Sequence, residues 1–234
     1  MSDQTGFRRV QKEASPADQT RTALVRAALK LFGRQGFEGT STREIAAEAK
    51  ANIGSIAYHF GGKEGLRAAA ADYIVDTIQT IAGQAIGSAQ PSGPSNPEAA
   101  RAQLFAALER MVTFIVATPE AGEIVQFVLR ELSHPTAALD RIYAGVFEPT
   151  HRRLCQIWEL ATGEPAESEA TRLTVFTMIG QVVYFRIGRE AVMRRMGWRE
   201  IGNVEAAKVA ATATDNLKAM LAARDRTRGK EADR

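Results

Sequence analysis

The segment that decides the fold is TSTREIAAEAKANIGSIAYHFGGKEGL, residues 40–66. Its pattern predicts two short helices joined by a tight turn, followed at once by the start of a third helix. The second short helix begins with small and polar residues, so its N-terminus can come close to a groove of DNA. The segment therefore makes an otherwise ordinary helical sequence a candidate gene regulator.

A capping box predicts where the first short helix begins. In Ser41-Thr42-Arg43-Glu44, the Ser41 hydroxyl can accept from the backbone N–H of Glu44, and the Glu44 carboxylate can accept from the Ser41 N–H. The apolar residues that follow, Ile45, Ala46 and Ala49, give this helix a buried face. A capping box alone is common and carries no function.

The second short helix is predicted to have Asn52 as its N-cap. Ile56 and Phe60 are four residues apart and should point into a small core. Tyr58 and His59 then face outward, where a phenol or an imidazole can donate to phosphate or touch a base edge. Lys63 opens the following helix within reach of a DNA backbone.

The whole chain is predicted to be all-α, because helical spacing recurs and no alternating strand segment is found. Outside the segment, Pro149 should kink or divide a helix, and residues 88–97 read as a loop rich in Ser, Pro and Gly. Residues 1–17 are expected to be a disordered arm and residues 226–234 a flexible tail. The helices are predicted from residue 18 and over residues 42–49, 53–60, 63–87, 98–117, 120–132, 136–161, 166–195 and 203–224.

Composition sets the class of protein but not its function. Hydrophobic residues make up 45% and charged residues 24% of 234, which is typical of a soluble globular protein. No apolar run is long enough for a membrane span and no secretory signal is seen, and a single cysteine fits the cytoplasm. Residues 1–67 hold 11 Lys/Arg against 7 Asp/Glu, leaving 19 against 20 elsewhere, so any polyanion partner is expected at the N-terminal end. A random surface fluctuation explains a surplus of four charges equally well, so charge alone decides nothing.

The segment resembles the DNA-binding domain of the TetR family of transcriptional regulators. The resemblance is carried by ALKLFGRQGFEGTSTREIA (28–46) and by the pattern Gly54-Ser55-Ile56, His59-Phe60, Lys63-Glu64 and Leu66. It implies that the first short helix crosses the phosphate backbone and that the second enters the major groove. It implies DNA contacts from Ser41, Thr42, Arg43, Asn52, Ile53, Gly54, Ser55, His59 and Lys63, with Tyr58 as a further candidate.

Two positions depart from the family pattern. Lys50 stands where the turn usually carries Gly, so the turn has to accept a side chain in a left-handed conformation. Ala57 stands where a phosphate-binding Tyr is common. Tyr58 follows one position later, but one residue rotates a side chain by about 100° around a helix.

The resemblance also implies a helix-turn-helix domain over residues 18–64 and a larger helical bundle over residues 65–225 that dimerises and encloses an effector. Two apolar helices, within 171–195 and 205–223, are candidates for the dimer interface, and the alternative is that both fill the core of one subunit. The interface residues predicted from them are Gly180, Val183, Ile187, Leu217 and Leu221.

Residues 131–154 and 180–198 resemble the CecR-like subgroup, which implies control of transport or drug-sensitivity genes. An effector pocket could be lined by Phe127, Arg130, His134, Tyr143, Trp158, Phe176 and Tyr184, with ordinary core packing as the alternative. A patch of Arg130, Glu131 and His134 could hold an anion or a metal. Cys155 reads as a small core residue.

These observations favour a homodimeric repressor that binds a DNA operator and is released by a small-molecule effector, with no cofactor and no bound metal. A helical enzyme is the first alternative, but the sequence has no phosphate-cradling glycine loop, metal-ligand cluster or Cys/His nucleophile pattern. An adaptor that keeps the fold without binding DNA is the second, and the departures at Lys50 and Ala57 keep it open.

Overall fold

The computed structural model of the protein describes residues 15–86 and 96–232, and every regular element in them is helical. The predicted all-α class is confirmed. The helices are α1 (Pro16–Gln35), α2 (Thr42–Glu48), α3 (Gly54–Phe60), α4 (Lys63–Ile86), α5 (Pro97–Val112), α6 (Pro119–Ser133), α7 (Ala137–Ile142), α8 (Glu148–Thr162), α9 (Glu169–Ile187), α10 (Arg189–Met196) and α11 (Asn203–Ala232). Short π-helical turns at Thr113–Ala117 and Tyr143–Phe147 join α5 towards α6 and α7 to α8.

Side-chain caps set the two helix starts that follow the undescribed segments. Ser15 caps α1 with a reciprocal bond to Asp18, so the helix begins two residues earlier than the sequence pattern predicts. Asn96 caps α5 by accepting from the backbone N–H of Ala99. The predicted N-terminal arm up to residue 14, and the predicted loop up to residue 95, lie outside the described residues.

The division predicted at Pro149 falls just before it, in the π-helical turn Tyr143–Phe147. There the backbone N–H of Glu148 donates to the Tyr143 carbonyl, five residues back rather than four. The wider turn places Pro149 in the first turn of α8, where its missing N–H costs no helical bond.

Two helical predictions differ from the structure. The single helix predicted over 166–195 ends at Ile187, and Gly188 separates it from the short helix α10. The C-terminal helix continues to Ala232, into the segment predicted as a flexible tail. In both places the sequence pattern located a helix but not its ends.

Two hydrophobic cores organise the chain. The first joins α1–α4 to α6 and α7, with Phe127 of α6 and Ile142 of α7 among its fully buried members. The second joins α5, α8, α9 and α11 around Trp158 and Leu217. Because α4 runs unbroken from Lys63, and because α6 completes the first core, the boundary predicted at residue 64 falls inside a shared packing unit.

Within the described residues, no single helix is long and apolar enough to cross a membrane. Together, the neighbouring segments Pro97–Ala117 and Pro119–Ser133 are long and apolar enough for a membrane span, but they are bent by 87° where they meet.

Candidate DNA-binding surface

The capping box of α2 forms as predicted. The Ser41 hydroxyl accepts from the Glu44 N–H at 3.2 Å, and the Glu44 carboxylate accepts from the Ser41 N–H at 2.7 Å. These bonds lower the pKa of Glu44, with the backbone bond from Ser41 as the largest cause and the hydroxyl bond next. On the other face of the helix, Ile45 is fully buried. The start of α2 is therefore held by bonds that span only four residues.

The turn between α2 and α3 confirms the left-handed conformation expected at Lys50, whose φ is 52°. The Lys50 N–H donates to the Ala47 carbonyl at 3.1 Å, and the Ala51 N–H donates to the Ala46 carbonyl at 2.9 Å. This pair of bonds is a Schellman motif, which places its last residues in a left-handed turn and usually carries Gly. Here the position is occupied by a lysine, whose Cβ makes the left-handed conformation less favourable than it would be for glycine.

Asn52 supports the start of α3 in a different way from the prediction. The N-cap position is Ile53, whose backbone is already helical, so Asn52 is not the N-cap. The Asn52 side chain still accepts from the Gly54 N–H, at 2.8 Å, as the side chain of an Asx turn does. The prediction that Asn52 is the N-cap of α3 is therefore wrong, although its side chain does bond to the first residue of the helix.

Helix α3 buries one side and exposes the other. Ile56 is buried in the first core, as predicted. Tyr58 is 83% exposed and Ile53 is 47% exposed, and the Tyr58 ring meets the His59 ring edge-on at 4.8 Å. Ala57, at the position where the resemblance implies a Tyr, is also exposed, and the exposed aromatic group of this helix is Tyr58, one residue later.

The other predicted contact residues lie in the same stretch of chain. Ser41, Arg43, Asn52 and Gly54 are exposed, whereas Thr42, Ser55, His59 and Lys63 are partly buried. The Lys63 ammonium lies 4.2 Å from the centre of the Phe37 ring. This lysine is therefore held against an aromatic face at the start of α4.

Glycines make the sharp connection from α3 to α4. Gly61 and Gly62 have φ values of 70° and 138°, in the region that favours glycine. A Cβ at Gly65 would lie 1.8 Å from the Phe60 carbonyl oxygen, which no side chain can accept. The turn brings the end of α3 directly against the first turn of α4.

One residue beside this surface was missed by the sequence analysis. The Arg21 guanidinium of α1 lies 5.5 Å from the centre of the Phe60 ring, so an exposed cation stands beside the end of α3. Arg21 and Phe60 are far apart in the chain, and no local pattern pairs them. Only the packing of α1 against α3 does so.

Comparisons with known proteins agree with this geometry. Residues 24–70 match the family described as bacterial regulatory proteins, tetR family, and residues 100–224 match the C-terminal domain of the HTH-type transcriptional dual regulator CecR. The chain is 31% identical over 206 residues to the dual regulator CecR of Shigella flexneri, covering 87% of this chain and 92% of that protein. The chain belongs to the TetR family, with a CecR-type C-terminal domain.

Solved structures show the same fold. A TetR-like transcriptional regulator from Rhodococcus sp. RHA1 superposes with a TM-score of 0.63 at 17% identity, covering 89% of this chain and 98% of that one. AibR, solved with isovaleryl coenzyme A and operator DNA, superposes with a TM-score of 0.59 at 16% identity, covering 83% and 96%. The family and its relatives regulate transcription, so this chain is a DNA-binding regulator of TetR type and not an enzyme.

In this TetR-family chain, α6 is bonded to the helix-turn-helix domain by two adjacent residues. The Arg130 guanidinium donates to the carbonyls of Gly33 and Arg34, at 3.2 and 2.8 Å, near the end of α1. The Glu131 carboxylate is buried and accepts from Arg67 of α4 at 2.8 Å. These long-range bonds tie one helix of the C-terminal region to two helices of the DNA-binding unit.

The same contacts correct the predicted patch of Arg130, Glu131 and His134. Arg130 and Glu131 are engaged with α1 and α4, and Thr136 also donates to Glu131, at 2.6 Å. His134 is exposed at the end of α6. In the part of the chain that the structure describes, no group of three or more His, Cys, Asp or Glu side chains could hold a metal ion.

The seven predicted pocket residues are dispersed. Phe127 belongs to the first core and Trp158 to the second, where the Trp158 indole donates to Glu164 at 2.8 Å. Tyr143, Phe176 and Tyr184 are more than half exposed, and Phe176 stacks on the ring of His151 at 4.0 Å. Cys155 is buried, and burial raises the pKa of its thiol.

The two helices predicted to form a dimer interface behave differently. Leu217 and Leu221 of α11 are buried in the second core of the same subunit, which favours the alternative that these two residues fill the core of one subunit. On α9, Gly180 is exposed, Ile187 is more than half exposed and Val183 is partly buried. The outer face of α9 is here called the α9 face, and its large exposed apolar side chains are Leu173, Phe176, Tyr184 and Ile187.

Proposed function

We propose that this regulator is a homodimeric, ligand-responsive repressor of a transporter, efflux or drug-sensitivity operon, released from its operator by a small-molecule effector. The observation that carries the proposal is the pairing of two exposed surfaces on one chain. One is the outward side of α3 with Ile53 and Tyr58, and the other is the α9 face. A dimeric repressor needs one surface for DNA and one for its own copy.

The dimer is supported by the chemistry of the α9 face. Its four large side chains are each 53–60% exposed and recur at helical spacing over Leu173–Ile187. Contiguous exposed apolar surface of this kind marks an interaction site. A two-fold dimer would present two copies of α3 to successive major grooves, about 34–36 Å apart.

The effector is proposed from a relative of this fold, and the target genes from the resemblance to the CecR-like subgroup. AibR was solved with both an acyl coenzyme A and operator DNA, so a protein of this fold binds a ligand and an operator together. The relative from Shigella flexneri is named a dual regulator, so the proposal includes activation at some promoters as well as repression. Because its partner is chromosomal DNA, the proposed compartment is the cytoplasm.

A genome-wide DNA selection with the purified chain tests the proposal. We expect one or a few fragments with a near-palindromic site, beside transporter or drug-sensitivity genes. Fluorescence anisotropy on a selected fragment should give a salt-dependent dissociation constant, because Lys and Arg contacts to phosphate release counterions. Failure to select any fragment would favour the adaptor alternative.

Paired variants then test where the DNA is bound. His59→Ala with Lys63→Ala should weaken binding and reduce the slope of log K against log salt by about one unit, because one phosphate-binding cation is lost. Arg110→Ala removes an exposed cation of α5 and serves as the matched control. A salt slope unchanged from the wild-type protein would contradict the proposed surface.

A further inference from the structure

An open groove lies between the end of α9, helix α10 and the first half of α11. We call it the α10 groove. It has a volume of about 480 Å³, within the range typical of small-molecule sites. Its walls are mainly apolar and are formed by Tyr184, Phe185, Val192, Met196, Trp198 and Val209. Three of these six side chains are aromatic, which favours a flat or extended apolar guest. Tyr184 also belongs to the α9 face, so the groove borders the proposed dimer interface.

Three features of the backbone build the groove. Gly188 ends α9, and a Cβ there would lie 3.0 Å from Cζ of Tyr184, so the glycine leaves room for the tyrosine ring. Gly197 ends α10 with a φ of 68°, in the left-handed region. The Trp198 N–H then donates back to the Met193 carbonyl at 3.0 Å, which fixes the backbone at Trp198 to the end of α10.

The charges of the α10 groove have one sign. Arg195 and Lys208 line it, and none of its lining side chains is acidic. The Lys208 ammonium lies 5.5 Å from the centre of the Trp198 ring and 3.8 Å from the Glu205 carboxylate, one turn away. An apolar wall with two cations at its edge is complementary to an organic anion with an apolar body.

Helix α9 connects this groove to α6 through one side chain. Arg186, next to Phe185 of the groove wall, donates to the carbonyls of Ile115 and Thr118 at 2.6 Å each, and to Val116 at 3.3 Å. These carbonyls lie just before the first residue of α6. Gly122 of α6 leaves space for the guanidinium, since a Cβ there would lie 3.3 Å from Nη1 of Arg186.

The opposite end of α6 is bonded to the DNA-binding unit. Arg130 donates to two carbonyls near the end of α1, as described above. A single helix, Pro119–Ser133, therefore carries an arginine clamp at each end, one to α9 and one to α1. A shift of α9 has a direct mechanical route to the helix that packs against α3.

We propose that the α10 groove is the effector site of this regulator, that it binds a small organic anion with an apolar body, and that Arg186 and Arg130 transmit its occupancy through α6 to α1. This inference rests on the proposed function, because it needs a DNA affinity that an effector can change. It assigns the site, the ligand class and the connecting residues.

Decanoate is the probe for the first test, with 1-decanol and acetate as controls for charge and for the apolar body. The chain has two tryptophans, the buried Trp158 and Trp198 of the groove, so a Trp158→Phe variant reports on Trp198 alone. We expect saturable quenching of Trp198 emission by decanoate at one site per chain. Decanol and acetate should bind at least about tenfold more weakly, since one charge-assisted contact or the apolar contact is lost.

Charge removal tests whether the ligand lies in the α10 groove. Arg195→Gln with Lys208→Gln should weaken decanoate binding at least about tenfold, because both cations at the edge are lost. Arg110→Gln removes an exposed cation of α5, outside the groove, and should leave the binding unchanged. Light scattering on the double variant should show the mass of the wild-type protein.

The connection to DNA is tested with Arg186→Lys, which keeps the charge but cannot reach three carbonyls at once. In the wild-type protein, decanoate should lower affinity for a selected DNA fragment about tenfold. Arg186→Lys should bind decanoate and DNA separately as the wild-type protein does, with most of the decanoate effect on DNA lost. If Arg186→Lys has a lower unfolding temperature than the wild-type protein, Arg130→Lys, at the other end of α6, provides a second variant.

Several results would overturn the inference. These are no change in Trp198 emission, equal binding of decanol, or unchanged decanoate affinity in the double variant. Decanoate binding with no effect on DNA would mean that the groove is not the effector site. A changed mass in the double variant would mean that a second copy of the chain covers the groove. Failure to bind DNA without any ligand would instead reject the proposed function, while the Trp198 titration still reports on the groove.

Discussion

Helices α3 and α9 both hold large side chains in solvent, but the charges around them differ. Near α3, two acidic side chains are engaged within the protein, because Glu44 is bonded to Ser41 and Glu48 is bonded to Lys30. Arg43 and Lys50, in the same helix-turn-helix as Tyr58, are exposed. Along Leu173–Ile187, the only charged side chain is Arg186, and it turns inward to backbone carbonyls.

This difference supports the two partners proposed above, DNA for α3 and a second copy of the chain for α9. An exposed aromatic group among cations suits a polyanion that also offers base edges, which is the chemistry of DNA. An apolar helix face without charges suits another apolar face, and a second copy of the chain supplies one by symmetry. Exposure of an apolar side chain marks a binding surface, while the neighbouring charges indicate its partner. The following predictions test this comparison.

The largest effect is expected from a charge placed in the α9 face. Phe176→Asp should raise the dimer dissociation constant at least about 100-fold, because leaving an unpaired charge in an apolar interface costs about 3 kcal/mol or more. Light scattering across a dilution series measures it. Leu132→Asp, on an exposed leucine of α6, is the control and should leave the dimer intact. A Phe176→Asp protein that keeps the wild-type mass at every dilution would rule out this interface.

The second prediction tests whether Leu217 of α11 belongs to the core of one subunit, unlike the exposed residues of α9. Leu217→Ala should lower the free energy of unfolding by about 3 kcal/mol, because it leaves a cavity in the second core. Denaturant unfolding at one fixed protein concentration measures the loss. Leu160→Ala, on a partly exposed leucine of α8, should cost clearly less. If Leu217→Ala dissociated the dimer with little loss of stability, the leucine would belong to the interface after all.

A smaller effect is expected on the DNA side. Tyr58→Ala should weaken binding to a selected fragment about tenfold, which is typical of an exposed aromatic contact at an interface. Anisotropy titration measures the change. Tyr143→Ala removes another tyrosine that is more than half exposed, outside the helix-turn-helix, and should bind as the wild-type protein does. Equal affinities for both variants would remove Tyr58 from the DNA surface.

The turn before α3 should respond to a change of backbone preference. Lys50→Gly should raise the free energy of unfolding by about 1 kcal/mol, because a glycine relieves the left-handed strain at φ 52°. Lys50→Ala keeps the Cβ and should give no such gain. Thermal unfolding of the three proteins compares them. A gain of equal size in the alanine variant would show that charge, and not backbone strain, is responsible.

The smallest effect concerns the pH dependence of the α2 cap. The bonds from Ser41 lower the pKa of Glu44 in the folded state, so its contribution is present above the ordinary pKa of a glutamate, about 4.3. That contribution is lost as the pH falls through the lowered pKa. Glu44→Gln should therefore flatten the acid side of the stability profile, as measured by thermal unfolding.

The control for that prediction is Glu64→Gln, on an exposed glutamate of α4. It should leave the acid side of the profile as it is in the wild-type protein. A Glu44→Gln protein with an unchanged profile would mean that the capping box contributes nothing through its charge.

Much of the helix-turn-helix could be predicted because its deciding contacts are short in sequence. Ser41 bonds to Glu44, Lys50 ends a motif that begins four residues earlier, and Asn52 bonds to Gly54. The Arg21 contact with Phe60 was missed because it joins two helices that only tertiary packing brings together. Arg130 was predicted as an anion or pocket residue, and it instead bonds to carbonyls that lie 96 and 97 residues away.

The sequence by itself determined the all-α class, the capped start of α2, the left-handed turn at Lys50 and the inward position of Ile56. These depend on hydrogen bonds and side-chain periodicities within a few residues, which any chain segment carries with it. Tertiary structure decided which apolar helix is left open. Both α9 and α11 carry apolar residues at helical spacing, but Leu217 of α11 is buried in the second core while Phe176 of α9 is exposed to solvent. Which of these side chains is buried depends on how helices that are distant in sequence pack together, and a local sequence pattern carries no information about that packing.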